Sequence, residues 1–327
     1  MTEQIPTPCF VLDLARLRRN LEIASHIRET AGCKILLATK AFALPAAFPF
    51  MRDYLDGTTA SGEHEATMGA EAFGKEVHVY SPAYAPGEVE RLGKIAGHIY
   101  FNSAAQLSRY AASARAAGAK VGLRGNPGYS NATLGGDLYD PCATMSRFGE
   151  VDRTLDQVDW NEVDIFHVHA LCESLADGSV GLIEHVADRY ATYLEKVSAV
   201  NFGGGHFINK DGYDVEALIS AIQAFRDRFG LEVILEPGSG LVVNTGELHA
   251  SVIDVHWNDG DIALLDASAS THMPDVLEVP YRPDIVDAAE AGELAHTYRL
   301  AGRTCMTGEI ELLSDFGYDA FRQRLGR

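Results

Sequence analysis

Short runs of consecutive apolar residues recur along the first 240 positions of the chain. Stretches in which Ala, Glu and Arg recur at helical spacing lie between them, as at 62–73 and 102–117. Apolar runs that alternate with amphipathic helices are typical of parallel strands covered on both faces. Eight runs fit this description: 34–40, 57–61, 76–82, 98–103, 120–126, 164–170, 198–205 and 232–238.

Eight strand–helix units predict an α/β fold, namely a (β/α)8 TIM-type barrel over residues 24–240. A doubly wound sheet is the alternative, although such sheets seldom contain so even a count of units. Beyond residue 238 the pattern changes, because apolar and polar residues alternate over 241–255 and 261–266, with turn signals at 244–246 and 258–260. That alternation indicates half-buried antiparallel strands.

We therefore expect a second, mostly antiparallel β-domain made of residues 1–23 and 241–327. The strand-like segment 7–14 precedes the first barrel unit and is assigned to this β-domain. The chain is thus expected to fold as a large barrel and a smaller domain that combines both ends of the sequence.

The composition narrows the classes of function. Acidic residues outnumber basic ones by 46 to 27, and the formal net charge of −19 argues against a nucleic-acid partner and against anionic membrane surfaces. No apolar run approaches the length that crosses a bilayer, and the first eight residues do not resemble a signal peptide. Five widely spaced cysteines without a CxxC pair indicate a reducing compartment, so we expect a cytoplasmic protein.

Polar or glycine residues end every predicted barrel strand, and the active sites of such barrels lie at these carboxyl ends. Lys40 ends the first strand and precedes further apolar residues. Burial among such neighbours lowers the pKa of a lysine and leaves a neutral amine, which can form a Schiff base with a carbonyl compound. The alternative is a lysine that simply extends from a strand end into solvent.

Gly203, Gly204 and Gly205 follow the seventh strand, where barrels often bind phosphate. Their N–H groups can approach an anion closely because no side chain intervenes, although three glycines can also form a plain turn. Glu236 ends the eighth strand. A carboxylate there can keep a pyridine nitrogen protonated, or it can form a structural ion pair.

His167 and His169 lie two apart on the sixth strand, so their side chains share one face. This spacing suits a metal pair, or one imidazole that stacks on a flat cofactor while the other packs in the core. No cluster of further ligands in the sequence completes a metal site, and Lys40 with the three glycines favours the cofactor and no metal. Cys305, taken by itself, has the character of a small buried hydrophobic residue.

With these residues in view, the chain resembles the fold-type III pyridoxal-phosphate (PLP) decarboxylases of the alanine racemase and ornithine decarboxylase group. More narrowly, it resembles the carboxynorspermidine (carboxyspermidine) decarboxylase family. The similarity extends from Pro6 to about Glu309. The matching motifs are PTPCFVLD (6–13), CKILLATKAFA (33–43), YLDGTTASGEHEA (54–66), GKEVHVYSPAY (74–84), NPGYS (126–130), YDPCATMSRFG (139–149), FHVHALCE (166–173), NFGGGHFI (201–208), LEPGSG (235–240), HMPDVLEVPYRP (272–283) and YRLAGRTC (298–305).

The resemblance implies a role for each matched residue of the barrel. Lys40 would carry PLP as a Schiff base, and His169 would stack on the ring. Gly203–Gly205 would hold the phosphate, and Glu236 would pair with the pyridine nitrogen. Arg124, which lies at the end of the fifth strand, is a further cofactor-binding candidate.

The resemblance also implies roles for residues beyond the barrel. Cys305 would protonate the carbanion left by carbon dioxide; in relatives this cysteine reaches the neighbouring subunit's site, which implies a homodimer with shared active sites. Asp275 would contact an amine of a small cationic substrate, to which an acidic surface is suited. Ser239 and Glu309 stand where the family has acidic residues, Glu309 in place of an aspartate, and both are substrate-binding candidates.

The last residues depart from the family. Relatives continue with further strands, whereas residues 311–327 of this chain have the pattern of an amphipathic helix with a basic end. The β-domain is therefore expected to be incomplete at its C-terminus, while still contributing to the active site and the dimer.

The function implied is PLP-dependent decarboxylation of carboxynorspermidine or carboxyspermidine, which gives norspermidine or spermidine and carbon dioxide in polyamine biosynthesis. Three alternatives stay open. The first is a diaminopimelate or other basic amino-acid decarboxylase, and the second is a PLP-binding homologue with impaired catalysis. The third is a metal-dependent hydrolase that uses His167 and His169.

Overall fold

The computed structural model describes residues 5–131, 139–278, 281–305 and 312–316. Two compact units divide the chain: one is Asp13–Thr245, and the other combines Met1–Leu12 with Gly246–Arg327.

The described residues contain the following strands and helices. The strands are β1 (Cys9–Leu12), β2 (Lys34–Ala38), β3 (Gly57–Ala60), β4 (Glu76–Tyr80), β5 (His98–Phe101), β6 (Lys120–Gly125), β7 (Ile165–Val168), β8 (Ala199–Asn201), β9 (Glu232–Leu235), β10 (Gly246–His249), β11 (Val252–Trp257), β12 (Asp261–Leu265), β13 (His296–Gly302) and β14 (Leu312–Phe316). The helices are α1 (Leu14–Ala31), α2 (Phe48–Met51), α3 (Glu63–Met68), α4 (Glu88–Leu92), α5 (Ala104–Ala116), α6 (Asp152–Leu155), α7 (Ala176–Arg189), α8 (Ala191–Leu194), α9 (Val215–Phe229), α10 (Ser239–Val242), α11 (Ala269–His272) and α12 (Asp275–Glu278).

Strands β2 to β9 form a closed parallel barrel in chain order, which confirms the predicted (β/α)8 architecture. Each of the eight apolar runs contains one of these strands. The strands are almost wholly buried, because side chains fill the barrel on one face and helices cover the other. Closure occurs where β2 pairs with β9, with Lys34 opposite Ile234 and Ile35 opposite Leu235.

Helix α1 belongs to the barrel unit, although the sequence pattern suggested a boundary at residue 24. Asp13 caps its first turn through hydrogen bonds from two backbone N–H groups, and Gly32 ends it with a φ of 65°. Its buried face packs against α9 and α10. The barrel unit therefore begins at Asp13 and extends to Thr245 rather than spanning 24–240.

The second unit consists of two small sheets. Strand β1 pairs antiparallel with β10, and a four-stranded sheet has the order β11-β12-β13-β14. Its pairs are antiparallel except for β12 with β13, which are parallel. The core contains Val255, Ala263, Tyr298 and Leu300. The prediction of a separate, mostly antiparallel β-domain is therefore confirmed.

Two local predictions were wrong. Leu241 and Val242 lie in the short helix α10 rather than in a strand, because the turn after β9 continues directly into it. The expected C-terminal helix is replaced over Leu312–Phe316 by β14, which pairs with β13; the remainder of 306–327 lies outside the described residues. No helix within the described ranges is both long and apolar enough to cross a lipid bilayer.

Candidate active site

Lys40 lies in a tight turn directly after β2. The turn is closed by the Ala41 N–H, which donates to the carbonyl of Ala38 at 3.1 Å. Glu65 supports it from the next unit: its carboxylate accepts hydrogen bonds from the Thr39 hydroxyl at 2.7 Å and from the Ser61 N–H at 3.0 Å. The turn that carries the lysine is thus held by polar contacts of Glu65 and not by Lys40 itself.

The Lys40 side chain is accessible at the carboxyl end of the barrel. Protein atoms nevertheless surround the amine, and this desolvation lowers its pKa; the positive charge of Arg124 lowers it further, while Glu236 and Cys172 act in the opposite direction. A larger fraction of the amine is therefore neutral than for a lysine in water. Accessibility and a lowered pKa are what a nucleophilic lysine requires.

Arg124 is a buried cation beside this amine, with 4% of its surface exposed. Its guanidinium carbon lies 4.6 Å from the ring centroids of both Tyr80 and Phe148, and it donates a hydrogen bond to the carbonyl of His169 at 2.9 Å. The two rings and the carbonyl fix the position of this charge. Arg124 thus sets a positive potential at the barrel mouth.

His169 follows β7 and lies against the glycine loop. Its Nδ1 accepts a hydrogen bond from the Gly204 N–H at 3.1 Å, so this nitrogen carries no proton. Burial, followed by the charges of Lys40 and Arg124, holds the pKa of His169 well below its usual value. The imidazole is therefore neutral, and its orientation is fixed by the loop that follows β8.

The glycine loop can be formed only by residues without side chains. Gly203 and Gly205 have φ values of 68° and 86°. A Cβ atom on Gly203 would lie 2.6 Å from the His169 Cβ, and one on Gly205 would lie 2.2 Å from the carbonyl oxygen of Leu171. The loop thus packs its backbone directly against His169 and Leu171, where any side chain would collide.

Glu236 is buried at the end of β9, with 4% of its surface exposed. Its Oε1 accepts a hydrogen bond from Asn201 Nδ2 at 2.7 Å, and its backbone N–H donates to the Gly203 carbonyl at 2.7 Å. Asn201 Oδ1 in turn accepts from the Gly203 N–H at 2.8 Å. The amide of Asn201 therefore ties the carboxylate to the glycine loop.

His167 lies deeper in the barrel than His169. Among the described residues, neither of its ring nitrogens finds a hydrogen-bond partner, and its Nε2 is 3.8 Å from Glu236 Oε2. His167, His169 and Glu236 place possible ligand atoms within 4.8 Å of one another, as a metal site requires. Arg124 repels positive charge from both imidazoles, however, and the Gly204 N–H already occupies one nitrogen of His169.

The fit to PLP can be judged from these residues. The cofactor presents an aldehyde, a phosphate and a pyridine nitrogen. The site presents an accessible amine on Lys40, a loop of three glycines that has no room for side chains, and a buried carboxylate on Glu236. The donor set therefore matches the cofactor group by group.

The structure brings together six of the predicted cofactor residues with Lys40: Arg124, His169, Gly203, Gly204, Gly205 and Glu236. Ser239 is exposed at the start of α10, two residues beyond Pro237. Asp275 and Cys305 belong to the second unit: Asp275 is exposed and accepts a hydrogen bond from the Tyr281 hydroxyl at 2.7 Å, and Cys305 is an exposed free thiol. Glu309 lies outside the described residues.

Sequence reasoning missed three residues of the site. Asn201, which supports Glu236, is the last residue of β8, and its polar character at a strand end was the available signal. Glu65 lies in the first turn of α3, and no spacing rule connects it with Lys40. Gly238 was also missed: a Cβ there would lie 2.6 Å from the Ala41 Cβ, so the loop after β9 presses against the lysine turn.

Curated relatives cover nearly the whole chain. A carboxynorspermidine/carboxyspermidine decarboxylase from Campylobacter jejuni is 36% identical over 97% of this chain and 84% of its own length. A carboxyaminopropylagmatine decarboxylase from Synechocystis is 39% identical over 96% of this chain and 81% of its own. No protein-family model matches the chain.

Solved structures agree with these relatives. The crystal structure of carboxynorspermidine decarboxylase from Campylobacter jejuni, in complex with norspermidine, superposes with a TM-score of 0.88 at 35% identity, covering 96% of this chain and 85% of that one. Diaminopimelate decarboxylase from Helicobacter pylori, in complex with L-lysine, superposes with a TM-score of 0.79 at 16% identity, covering 96% and 86% of the two chains. At that identity the second likeness concerns the fold alone.

Proposed function

The chain belongs to the carboxynorspermidine/carboxyspermidine decarboxylase family and is a carboxy-lyase of polyamine biosynthesis; we propose that PLP held by Lys40 is its cofactor. The proposed substrates are carboxynorspermidine and carboxyspermidine, and the products are the corresponding triamine and carbon dioxide. The observation that carries the proposal is the convergence of an accessible amine, a glycine loop and a buried carboxylate at one end of the barrel.

Each group of the cofactor has a residue suited to hold it. Lys40 would bind the aldehyde carbon, the glycine loop Gly203–Gly205 would hold the phosphate, and Glu236 would hold a proton at the pyridine nitrogen. When bound, the cofactor would supply a protonated ring able to delocalise the electron pair left on the substrate carbon when carbon dioxide departs.

The protein's own residues prepare this chemistry. Desolvation, followed by the charge of Arg124, lowers the pKa of Lys40, so the amine is available as a nucleophile. His169 is kept neutral by burial and by the Gly204 N–H, so its flat ring can cover one face of a ligand without adding charge. The hydrogen bond from Asn201 fixes the position of the Glu236 carboxylate.

Residues of the second unit complete the proposal. We infer that Cys305 returns a proton to the substrate carbon, and that Asp275 and Glu309 bind substrate amines, with Ser239 at the barrel mouth. The proposed assembly is a homodimer in which Cys305 serves the partner's site. The net charge of −19 supports a cationic substrate, because an acidic surface attracts polyamines.

A second substrate deserves a direct comparison. The Synechocystis relative is a carboxyaminopropylagmatine decarboxylase, and it is 39% identical to this chain, compared with 36% for the Campylobacter enzyme. Its substrate name describes another carboxylated cationic chain, which an acidic entry would also attract. The two substrates therefore have to be offered to the enzyme side by side.

The cofactor is tested by absorbance. Purified protein with added PLP is expected to show a visible band of lysine-bound cofactor, which disappears in Lys40→Ala. Lys120→Ala is the matched control, because Lys120 is an exposed lysine at the opposite end of a barrel strand. A wild-type protein without the band at saturating PLP, or an unchanged band in Lys40→Ala, would contradict the proposal.

The substrate is tested by release of carbon dioxide from four compounds: carboxynorspermidine, carboxyspermidine, carboxyaminopropylagmatine and diaminopimelate. We expect the highest kcat/KM for one of the first two. A preference for carboxyaminopropylagmatine would change the proposed substrate but leave the proposed decarboxylation unchanged. A preference for diaminopimelate, or normal cofactor loading without release from any compound, would overturn the assignment.

A further inference from the structure

A continuous column of hydrogen-bonded polar side chains extends from Glu236 into the barrel interior. Asn201 Nδ2 donates to Glu236 Oε1 at 2.7 Å and to the Tyr100 hydroxyl at 3.0 Å. Both hydrogens of the amide are therefore in use, and its oxygen accepts from the Gly203 N–H. Tyr100 and Asn201 have no exposed surface, so these contacts form in the absence of bulk water.

The column continues to the opposite end of the barrel. The Tyr100 hydroxyl lies 2.8 Å from His78 Nδ1, and His78 Nε2 lies 3.2 Å from Glu76 Oε2. Glu76 also binds Lys34 Nζ at 2.7 Å, and Lys34 bridges to Glu232 at 3.0 Å. Glu76 begins β4, Lys34 begins β2 and Glu232 begins β9. These residues therefore form a half-buried ion cluster at the amino-terminal end of the barrel.

One assignment of hydrogens satisfies every contact in the column. The Tyr100 oxygen accepts from Asn201, so its own hydrogen is free to be donated to His78 Nδ1. His78 Nε2–H then donates to the carboxylate of Glu76. The amide of Asn201 donates in both directions, so the column cannot conduct a proton and can act only by fixing positions.

We propose that Asn201, Tyr100 and His78 are positioning residues that hold the carboxylate of Glu236 in place through a column anchored at the far end of the barrel. This inference rests on the proposed function, in which Glu236 pairs with the pyridine nitrogen of PLP. The column explains why a tyrosine and a histidine without exposed surface occupy the interior of a barrel that side chains such as Leu36 and Ile165 otherwise fill.

The end of the column formed by His78 and Glu76 is held in a fixed position. The hydrogen bond from His78, followed by the charge of Lys34, lowers the pKa of Glu76 to about 2, so this carboxylate accepts from His78 throughout the neutral range. The ring of His98 stacks on His78 with 3.9 Å between centroids and so fixes the plane of the imidazole. Hydrogen bonds in a chain polarise one another in a medium of low dielectric constant, so a change at Tyr100 reaches Glu236 through Asn201.

The test compares Tyr100→Phe and Asn201→Ala with Tyr190→Phe. Tyr190 is the matched control, because it is equally buried and its hydroxyl binds a side chain, Asp152 at 2.7 Å, outside the column. The readouts are kcat, KM, the pH midpoint of the visible cofactor band, and the 15N shifts of His78 in the protein without PLP.

We expect Tyr100→Phe to lower kcat about threefold to tenfold, as for loss of one buried hydrogen bond in a network, and Asn201→Ala to lower it further. KM should change less than twofold, and the pH midpoint of the band should move in both variants. In the protein without PLP, His78 should carry its proton on Nε2, and Tyr100→Phe should change its Nδ1 shift. Tyr190→Phe should alter none of these readouts.

The inference is overturned if Tyr100→Phe matches Tyr190→Phe in kcat and in the band's pH midpoint, or if His78 carries its proton on Nδ1. Tyr100→Phe keeps the ring that packs in the core, so it carries the test even if Asn201→Ala fails to fold. Glu236→Gln separates the two levels of argument. If Glu236→Gln behaves as wild type, the proposed function fails; if it is impaired while Tyr100→Phe is not, only the column fails.

Discussion

Replacing Gly205 by alanine tests the glycine loop most directly. Gly205 has a φ of +86°, and its Cβ would lie 2.2 Å from the backbone oxygen of Leu171. Gly212 is the matched control, because its φ is +85° and no described atom lies within 4 Å of the corresponding Cβ. The two variants therefore share the backbone penalty and differ only in the collision.

The magnitudes follow from this comparison. A left-handed conformation costs an L-residue about 1–2 kcal/mol, so Gly212→Ala should destabilise the barrel by that amount. Overpacking against fixed atoms costs a further 1–3 kcal/mol or so, which gives about 2–5 kcal/mol for Gly205→Ala. Relief of the collision displaces the loop, so we also expect the affinity of Gly205→Ala for PLP to be at least about tenfold weaker than that of the wild type. The affinity of Gly212→Ala should equal that of the wild type.

Urea unfolding can be followed in the barrel alone. The chain has two tryptophans: Trp160 is buried in the barrel unit, and Trp257 is exposed in the second unit. In a Trp257→Phe background, fluorescence therefore reports the environment of Trp160, and a PLP titration of each variant gives the affinity. Equal destabilisation by the two alanines, or equal loss of PLP affinity, would refute the reasoning about the loop.

Two further predictions concern charge. Arg124→Met removes a cation that lowers the pKa of Lys40, so that pKa should rise and the pH dependence of PLP capture by the cofactor-free protein should move to higher pH; an unchanged profile would exclude Arg124 from this role. His98 is buried, and burial followed by the charge of His78 lowers its pKa to about 3 from 6.5. Between pH 6.5 and 3, His98 is therefore protonated in the unfolded chain and neutral in the folded protein. Its contribution to the free energy of unfolding is complete above pH 6.5 and is lost as the pH falls toward 3. Between pH 6.5 and 5, the free energy of unfolding in urea should fall less steeply with falling pH in His98→Gln than in the wild type, by at most about 1.4 kcal/mol per pH unit. Identical slopes in the two proteins would contradict the lowered pKa of His98.

The barrel could be predicted because its strands are buried on both faces. A run such as KILLA at Lys34–Ala38 or EVIL at Glu232–Leu235 has one dominant interpretation when helices alternate with it. The domain boundary was harder to place, because α1 is amphipathic and could cover either unit. Only its packing against α9 and α10 assigns it to the barrel.

Part of the site could also be predicted from the sequence, because barrel architecture places the ends of the strands together. Lys40, His169 and Glu236 stand at strand ends, where one rule of barrel architecture brings them together. Tyr100 and His78 lie inside strands, and their position in the sequence resembles that of any residue in a buried run. Their contacts depend on which side chains meet across the barrel, and that is decided by closure rather than by local pattern.

Lys40 and Glu236 follow β2 and β9, the two strands that meet where the barrel closes, with Lys34 opposite Ile234 across about 200 residues of chain. The carbonyl of Pro237 accepts from the Ala38 N–H at 3.1 Å at the same seam. Amine and carboxylate therefore become neighbours only when the first and the last barrel strands join. Any ligand bound between Lys40 and Glu236 stabilises the closed barrel by mass action. Retention of the cofactor therefore indicates that the barrel has completed its folding.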